Sequence, residues 1–438
     1  MKRIFTAAAV VLALCAAAAP SASTAKPAAV RGYDPTEKSI LELQADMAAG
    51  RVTAEGLVKA YSLRIERLDW SGPSLRSVIA INPDALAQAR ALDAERRAGR
   101  VRGPLHGIPI LVKDNIETSD PLPTTAGSLA LVDNVTRRDA PIVARLRAAG
   151  AIILGKTNLS EWANIRSNRS ISGWSAVGGQ VLNPYALDRN PCGSSAGSGA
   201  AAAASLAAAT VGTETDGSIV CPSAASGDVG FKPTVGLLSR THIVPISHSQ
   251  DTPGPIVRTV EDAAILMSVM AGSDPADPDT AAADARRGDY LKALDPGALK
   301  GKRIGVLRFN AGFHPETDAL FETALKALAE AGAELVEIKE FPTLGEIGQA
   351  EGVVLQTELK ADMATYLATT SVRHRTLADL IAFNRANAAA EMPLFGQEFF
   401  EDADKTKGLD DPDYKAARAK GRRLAGPEGI DRLLRDNR

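Results

Sequence analysis

The chain has 438 residues, of which 45% are hydrophobic and 23% are charged, so it can build one large core or two domains. Its 50 lysine and arginine residues nearly balance 52 aspartate and glutamate residues, and the formal net charge is -2. This balance excludes the basic footprint of a nucleic-acid-binding protein and also excludes a polyanionic chain. We therefore expect no nucleic-acid partner.

The first 25 residues predict an export signal. Lys2 and Arg3 supply a positive start, residues 4–19 are apolar with one exception, and small residues follow. The apolar stretch is shorter than the roughly 20 residues that span a bilayer, so we expect cleavage and no stable membrane insertion. The mature protein is then expected in the periplasm or outside the cell.

The first third of the chain alternates between helical patterns and short apolar runs of strand length. Three of the helical patterns end beside a glycine, as helix C-caps predict. The predicted helices are residues 36–49, 53–68, 83–98 and 139–149, and the predicted strands are residues 108–112 and 151–154. Buried strands separated by helices of this length favour an α/β fold.

The same alternation continues after a polar loop at residues 167–198, which is rich in serine, glycine, asparagine and proline. Functional residues often lie on such loops. Downstream, the predicted helices are residues 199–209, 316–331, 351–390 and 415–434, and the predicted strands are residues 210–212, 302–307 and 334–337.

Two serine-bearing glycine loops and one lysine carry the chemistry. Lys113 directly follows the strand predicted at residues 108–112, Ser194 lies in Gly193-Ser194-Ser195-Ala196-Gly197-Ser198, and Ser218 ends a loop that begins at Gly212. A serine hydroxyl becomes a good nucleophile when a base takes its proton, and a buried lysine is such a base only if it is held neutral. The chain therefore has the parts of a histidine-free serine hydrolase.

These runs, in this order, resemble the amidase signature family of Ser-Ser-Lys amide hydrolases. The resemblance extends from about Ser39 to about Gly272. Further matching runs are Gly107-Ile108-Pro109, Gly155-Lys156-Thr157-Asn158, Asn183-Pro184, Phe231-Lys232-Pro233-Thr234-Val235-Gly236 and Asp251-Thr252-Pro253-Gly254-Pro255. Within the family, residues 190–194 and 214–222 are similar to the peptide amidase branch, which removes the amide from peptide C-termini.

The resemblance implies one large α/β domain over residues 36–438, with a central mixed β-sheet flanked by helices on both faces. It implies an amidase that uses neither a cofactor nor a metal ion, and the predicted signal makes this amidase an exported one. Such an enzyme hydrolyses a carboxamide through a serine acyl-enzyme and releases ammonia. Peptide C-terminal amides or small amides are the expected substrates.

The resemblance also implies a role for each matching residue. Ser218 is the nucleophile, Ser194 is the bridging serine after a cis peptide bond from Gly193, and Lys113 is the terminal base. The implied oxyanion donors are the backbone amides of Thr215, Asp216, Gly217 and Ser218.

Some positions depart from the commoner form of the family. Cys192 replaces a glycine, Glu214 replaces an aspartate and Asp216 replaces a glycine. Because the peptide amidase branch is similar here, we interpret these changes as a character of that branch. Relatives also continue beyond the helix that residues 415–434 resemble, so we expect this domain to lack their usual C-terminal strands.

Two side-chain assignments have alternatives. Cys192 and Cys221 each lie close in sequence to a proposed catalytic serine, and an oxidising compartment permits a disulfide between them. The alternative is two free thiols packed as small apolar side chains. Trp174, in the polar loop, is a candidate substrate contact or a core aromatic residue.

Two other functions are considered. Residues 193–197 also match the nucleophile elbow of α/β-hydrolases, with Ser195 as nucleophile of an esterase, but that motif must follow a strand and needs a histidine. A turn-rich segment precedes it here. The other alternative is a non-catalytic periplasmic amide- or peptide-binding relative, although a pure binder has no reason to keep all three polar residues.

Overall fold

The computed structural model describes residues 32–437, so the predicted export signal lies outside the described part of the chain. From Tyr33 onward the chain forms one compact unit. Helices flank a central mixed sheet, which confirms the predicted α/β class and the single large domain. No helix between residues 32 and 437 is both long and apolar enough to cross a membrane.

The central sheet has six strands in the order β1-β3-β2-β6-β8-β7. Strands β3, β2 and β6 are parallel, whereas β1 and β8 pair antiparallel with their neighbours β3 and β6. Two small sheets pair β4 with β5 and β9 with β10. The strands are β1 (Val78–Ile81), β2 (Pro109–Lys113), β3 (Ile152–Thr157), β4 (Trp174–Ser175), β5 (Gly179–Gln180), β6 (Ala209–Glu214), β7 (Val229–Gly230), β8 (Thr252–Val257), β9 (Arg303–Val306) and β10 (Glu334–Glu337).

Helices cover the sheet, and the second half of the chain is mainly helical. Helix α5 packs on β2, β3, β6 and β8, and α7 packs on β7 and β8. The α-helices are α1 (Ile40–Ala48), α2 (Ala54–Arg64), α3 (Ala85–Arg97), α4 (Pro141–Ala148), α5 (Ala196–Ala203), α6 (Val220–Ser226), α7 (Val260–Met270), α8 (Pro315–Glu330), α9 (Leu344–Ala368), α10 (Leu377–Ala386), α11 (Ala388–Glu391), α12 (Glu398–Asp404), α13 (Pro412–Ala425) and α14 (Asp431–Asp436).

The parallel core of the sheet positions the site. Every residue of β2, β3 and β6 is buried, as expected for strands covered on both faces. Because the carboxyl ends of parallel strands meet at one edge of a sheet, Lys113 at the end of β2 and Glu214 at the end of β6 lie at the same edge. This edge is where open α/β sheets place their ligand sites.

The alanine-rich segment differs from its predicted helix. The sequence predicts a helix at residues 199–209, but α5 begins at Ala196 and ends at Ala203, and β6 already starts at Ala209. Ser205 has a positive φ of 51°, which no helix continues through. The chain turns there so that the Ala208 amide can donate to Pro109 O at 3.2 Å, in line with the β2–β6 pairing.

The helical patterns of the second half are divided more finely than predicted. Residues 351–390 contain most of α9, all of α10, α11 except its last residue, and the turns between them. Residues 415–434 are interrupted by a π-helical turn, Gly426–Ile430, between α13 and α14. A second apolar cluster packs α9, α10 and α12 against Leu131 and Trp162, and α9 lies near the end of β6, where both line one cavity.

Candidate active site

Lys113 is completely buried at the end of β2. Its Nζ lies 2.7 Å from Ser194 Oγ, 2.8 Å from Thr213 Oγ1 and 3.3 Å from Thr213 O. Asn115 Nδ2 donates to the same Thr213 hydroxyl at 2.9 Å. The amine is therefore surrounded by neutral oxygen atoms, one of which belongs to the bridging serine that the family resemblance implies.

Burial lowers the pKa of Lys113 to about 7. The removal of water disfavours the ammonium form, and the negative charges of Asp251 and Glu214 offset this effect in part. A lysine with a pKa near neutrality is populated as a free amine at pH 7 and can accept a proton. The structure thus satisfies the condition that a lysine base must be held neutral, which the sequence alone left open.

Ser194 lies in the loop before α5 and is completely buried. The peptide bond between Gly193 and Ser194 is cis, as the family resemblance implies. The loop is held by a hydrogen bond from Ser160 N to Ser194 O at 3.0 Å. Ser194 Oγ is thereby directed at Lys113.

Ser218 lies in the loop between β6 and α6 and is 7% exposed. Its loop is joined to the Ser194 loop by the hydrogen bond from Ser195 N to Ser218 O at 3.1 Å. Among residues 32–437, Ser218 Oγ makes no hydrogen bond, and none links it to Ser194 Oγ. The structure therefore brings Lys113 and Ser194 into direct contact and places Ser218 in the adjoining loop.

The loop before Ser218 is organised around a buried carboxylate. Glu214 accepts hydrogen bonds from the backbone amides of Gly217 at 2.9 Å, Ile219 at 2.7 Å and Val220 at 3.1 Å. The Gly217 amide, which the resemblance implies as an oxyanion donor, is thus already engaged. Within the described chain, the other three amides of that set, those of Thr215, Asp216 and Ser218, have no hydrogen-bond acceptor.

The departures from the commoner family pattern now have structural explanations. Glu214 orients the loop that carries Ser218 from inside the protein, whereas Asp216 is exposed to solvent. Cys192 and Cys221 form a disulfide with a Cα–Cα distance of 5.9 Å, so the free-thiol alternative is wrong. The disulfide joins the residue two positions before Ser194 to the residue three positions after Ser218.

Ser195 has a structural position that differs from a nucleophile elbow. It is completely buried, and its Oγ donates to Thr213 O at 3.0 Å and accepts from Thr213 N at 3.2 Å. No strand immediately precedes it, and no histidine between residues 32 and 437 is hydrogen-bonded to it. The esterase alternative is therefore not supported.

Trp174 lies in β4 and is 8% exposed. Its ring packs edge-on against Phe395, with ring centroids 5.3 Å apart, and lies 5.9 Å from the Arg166 guanidinium. It does not line the cavity beside the serine loops. This position corresponds to the core-aromatic alternative.

A cavity of about 710 Å³ opens beside Thr213 and Thr215. Asn115 and Asp251 also line it, together with the apolar segment at residues 243–246. Asp251 accepts a hydrogen bond from Thr215 Oγ1 at 2.6 Å. No pattern in the sequence assigns a role to Asn115, Thr213 or Asp251, because only the pairing of the strands brings them together.

One group of side chains on the cavity wall has the composition of a metal site. The donor atoms of His248, Glu358 and Asp362 lie within 4.8 Å of one another. His248 Nδ1 faces Asp362 Oδ2 at 3.0 Å, and its Nε2 faces Glu358 Oε1 at 3.3 Å. Both ring nitrogens thus already face carboxylates, and these carboxylates raise the pKa of His248 mainly through the hydrogen bond to Asp362.

The buried lysine, the cis-peptide loop and the second serine loop lie together at one edge of the sheet of an α/β domain. Residues 57–408 match the Amidase family model, and the chain belongs to this amidase family. It is therefore a hydrolase that acts on amide C–N bonds, and the binding-only alternative is set aside.

Individual relatives support the same assignment. A probable amidase of Arabidopsis thaliana is 41% identical over 412 residues, which cover 92% of this chain and 78% of the relative. Native peptide amidase from Stenotrophomonas maltophilia is 53% identical, with a TM-score of 0.87 and coverage of 91% of this chain and 81% of that one. An amidase family protein from Bacillus anthracis is 36% identical, with a TM-score of 0.84 and coverage of 92% and 79%. The likeness to peptide amidase confirms the predicted branch.

Proposed function

We propose that this enzyme hydrolyses C-terminal carboxamides of peptides through a serine acyl-enzyme and releases ammonia. The observation that carries the proposal is the 2.7 Å contact between Lys113 Nζ and Ser194 Oγ, in a site that lowers the lysine pKa to about 7. A neutral amine in contact with a buried hydroxyl can act as a general base, and the mechanism then needs a nucleophile beside that hydroxyl. Ser218, in the adjoining loop, supplies it.

The acylation step moves one proton along this series of groups. Ser218 Oγ attacks the carboxamide carbon while its proton passes to Ser194 Oγ, and the Ser194 proton passes to Lys113 Nζ. The proton then returns by the same route to the departing nitrogen, the C–N bond breaks, and ammonia leaves. Water repeats the sequence on the acyl ester, so that the products are the free carboxylate and the original serine.

The surroundings of Lys113 fit both of its protonation states. As a neutral amine, it donates its two N–H bonds to Thr213 O and Thr213 Oγ1 and directs its lone pair at Ser194. As an ammonium ion, it donates the third N–H bond to Ser194 Oγ. Proton transfer therefore requires no rearrangement of the heavy atoms, which favours rapid exchange.

The oxyanion of the tetrahedral intermediate is stabilised by backbone amides of the nucleophile loop in this proposal. The amides of Thr215, Asp216 and Ser218 are available, whereas the Gly217 amide holds the loop on Glu214. Preorganised donors of this kind are worth about 3–4 kcal/mol each in an enclosed site. The side chain of Asp216 extends into solvent, where its charge is screened.

Two observations support a peptide amide as the substrate. The cavity of about 710 Å³ beside Thr215 has an apolar wall at residues 243–246 and is large enough for a short peptide. The Stenotrophomonas maltophilia enzyme is a peptide amidase by name, and a related structure shows peptide amidase with the competitive inhibitor chymostatin. Small aryl or aliphatic amides are the second substrate class in this proposal.

An exported location is part of the same proposal. The positive start and apolar stretch of residues 1–25 support it, and so does the Cys192–Cys221 disulfide, since disulfides persist in oxidising compartments. N-terminal sequencing of the protein from separated cell fractions tests this location. An intact Met1 in a cytoplasmic fraction would contradict it.

Ammonia release from a panel of N-acylated peptide amides and simple amides tests the catalytic assignment. Ser218→Ala and Lys113→Met should abolish turnover. Lys156→Met is the matched control, because Lys156 is also a completely buried lysine at a strand end but bonds to Ile116 O and Thr124 Oγ1. We expect that control to lose stability and keep turnover per folded molecule. Turnover by folded Ser218→Ala would refute the proposed function.

A further inference from the structure

A turn at residues 247–251 lies between helix α9 and the nucleophile loop. Glu358, completely buried on α9, accepts hydrogen bonds from Ser247 Oγ and from Ser249 Oγ, the latter at 2.8 Å. The Ser249 backbone amide donates to the same carboxylate at 3.1 Å. One carboxylate of α9 thus binds Ser247 and Ser249, the residues on either side of His248.

A second carboxylate, one helical turn further along α9, binds the residue between the two serines. Asp362 Oδ2 accepts from His248 N at 2.8 Å. Positions four residues apart lie on the same face of a helix, so Glu358 and Asp362 together present a continuous anionic surface to the turn. From α13, Tyr414 OH donates to Glu358 Oε1 at 2.7 Å. These contacts fix the turn relative to two helices.

The other side of the turn is bonded to the nucleophile loop. Asp251 Oδ2 accepts from the backbone amides of Ile246 at 2.8 Å and Ser247 at 2.9 Å. Its other oxygen, Oδ1, accepts from Thr215 Oγ1 at 2.6 Å. Movement of the turn therefore moves Asp251, and Asp251 is the group that fixes the Thr215 side chain.

We propose that Glu358 is a positioning residue of the amidase, which acts through the 247–251 turn and Asp251 on Thr215. This inference rests on the proposed function, in which the Thr215 amide is an oxyanion donor. Glu358 is 143 residues from Thr215 in sequence and contacts no member of the serine–lysine series. The Glu358 side chain does not line the cavity, so its effect reaches the reaction through the orientation of the Thr215 donor.

The same carboxylates are poorly suited to a metal ion. The Glu358 oxygens are already occupied by two serine hydroxyls, one backbone amide and Tyr414 OH. The Arg418 guanidinium lies 3.8 Å from Glu358 Oε1 and opposes a second cation there. A ligand set that is saturated with hydrogen-bond donors favours the structural role.

Glu358→Gln tests the proposal with little change of shape. An amide nitrogen at the Oε2 position opposes the Ser249 N–H, and in the other orientation Tyr414 OH must change from donor to acceptor; in both cases the hydrogen bonds to a charged carboxylate are lost. Loss of a complete oxyanion donor lowers kcat by about 100–1,000-fold, and we expect a displaced donor to lower it by about 10–100-fold. KM should change by less than kcat does, because Glu358 does not line the cavity and a donor that acts in the transition state does not alter ground-state binding.

Thr215→Val completes a double-mutant cycle, because valine keeps the backbone amide and the side-chain shape but removes the bond to Asp251. If Glu358 acts through this bond, the double variant has about the kcat of the poorer single variant. Multiplication of the two losses would show independent effects and overturn the proposal. Glu346→Gln is the matched control, since Glu346 also joins α9 to α13, through Lys420 at 2.7 Å, but at the surface. We expect that control to keep kcat.

The outcomes separate this inference from the proposed function. Turnover by Ser218→Ala refutes the function itself. Inactive Ser218→Ala together with a folded Glu358→Gln of unchanged kcat refutes only the positioning role. If Glu358→Gln does not fold, Ser249→Ala removes one of the hydroxyl donors to Glu358 at smaller cost, and it should lower kcat by more than it changes KM. A requirement for added zinc or calcium, abolished by chelation, would also overturn the positioning role.

Discussion

The value of kcat/KM for a peptide amide should rise with pH and reach a plateau above pH 8. With a pKa of about 7, Lys113 is neutral in about 9% of molecules at pH 6 and in about 91% at pH 8. The expected gain is therefore about tenfold between these two values. The direction follows from the base role, since only the free amine accepts the Ser194 proton.

Asp251→Asn tests the origin of this pH dependence. The negative charge of Asp251 raises the pKa of Lys113, so its removal should move the rising part of the profile to lower pH. Burial raises the pKa of Asp251 itself to about 6. Below pH 6 the parent enzyme therefore loses the same charge by protonation, and its profile should become shallower there than that of the variant.

The assay is ammonia release at constant ionic strength from pH 5 to pH 9, at substrate concentrations well below KM. Under this condition the profile reports the free enzyme. The plateau height of Asp251→Asn should also fall, because Thr215 loses its acceptor, but this change is separate from the midpoint. A flat parent profile between pH 5.5 and 8.5, or a midpoint that Asp251→Asn leaves in place, would refute the reasoning.

Three further changes have defined outcomes. Replacing Cys192 and Cys221 by serine opens a loop with a sequence separation of 29 and should lower the free energy of unfolding by about 3.6 kcal/mol, measured by denaturant titration. Glu214→Gln should lower kcat at least about tenfold, with partial recovery in Glu214→Asp, because a carboxylate is needed to accept three amides. Trp174→Ala should lower the free energy of unfolding by about 3–5 kcal/mol and leave KM within about twofold, and a large rise in KM would instead favour substrate contact.

The catalytic edge of the fold could be anticipated because its signals are local. Continuous apolar runs predict β2 and β3, and the position of Lys113 at the end of one run follows directly from the sequence. Strand β8 carried no such signal. Pro253 and Pro255 disfavour a strand because proline has no N–H to donate. On the side of β8 that faces β7, only Ile256 and Val257 are paired, so the prolines lie outside that pairing.

The supporting residues of the site could not be predicted because they depend on tertiary contacts. Thr213 reaches Lys113 only because β6 pairs in parallel with β2, and the sequence does not state the order of strands. Glu358 lies in a helical pattern that resembles many surface helices, and only the packing of α9 buries it. Local periodicity therefore identifies the helices and strands, whereas the residues that support the site are known only once the fold is known.

Burial alone does not make a lysine a base, and the two buried lysines at neighbouring strand ends show why. Lys156 lies 3.7 Å from Asp114 Oδ1, so a carboxylate compensates its charge. Within the described chain, Lys113 forms no salt bridge, and its nearest partners are two hydroxyls and a carbonyl. Desolvation lowers the pKa of both lysines, but only Lys113 combines this effect with contact to a serine hydroxyl. The uncharged neighbours of Lys113 therefore support the proposed base role as much as its burial does.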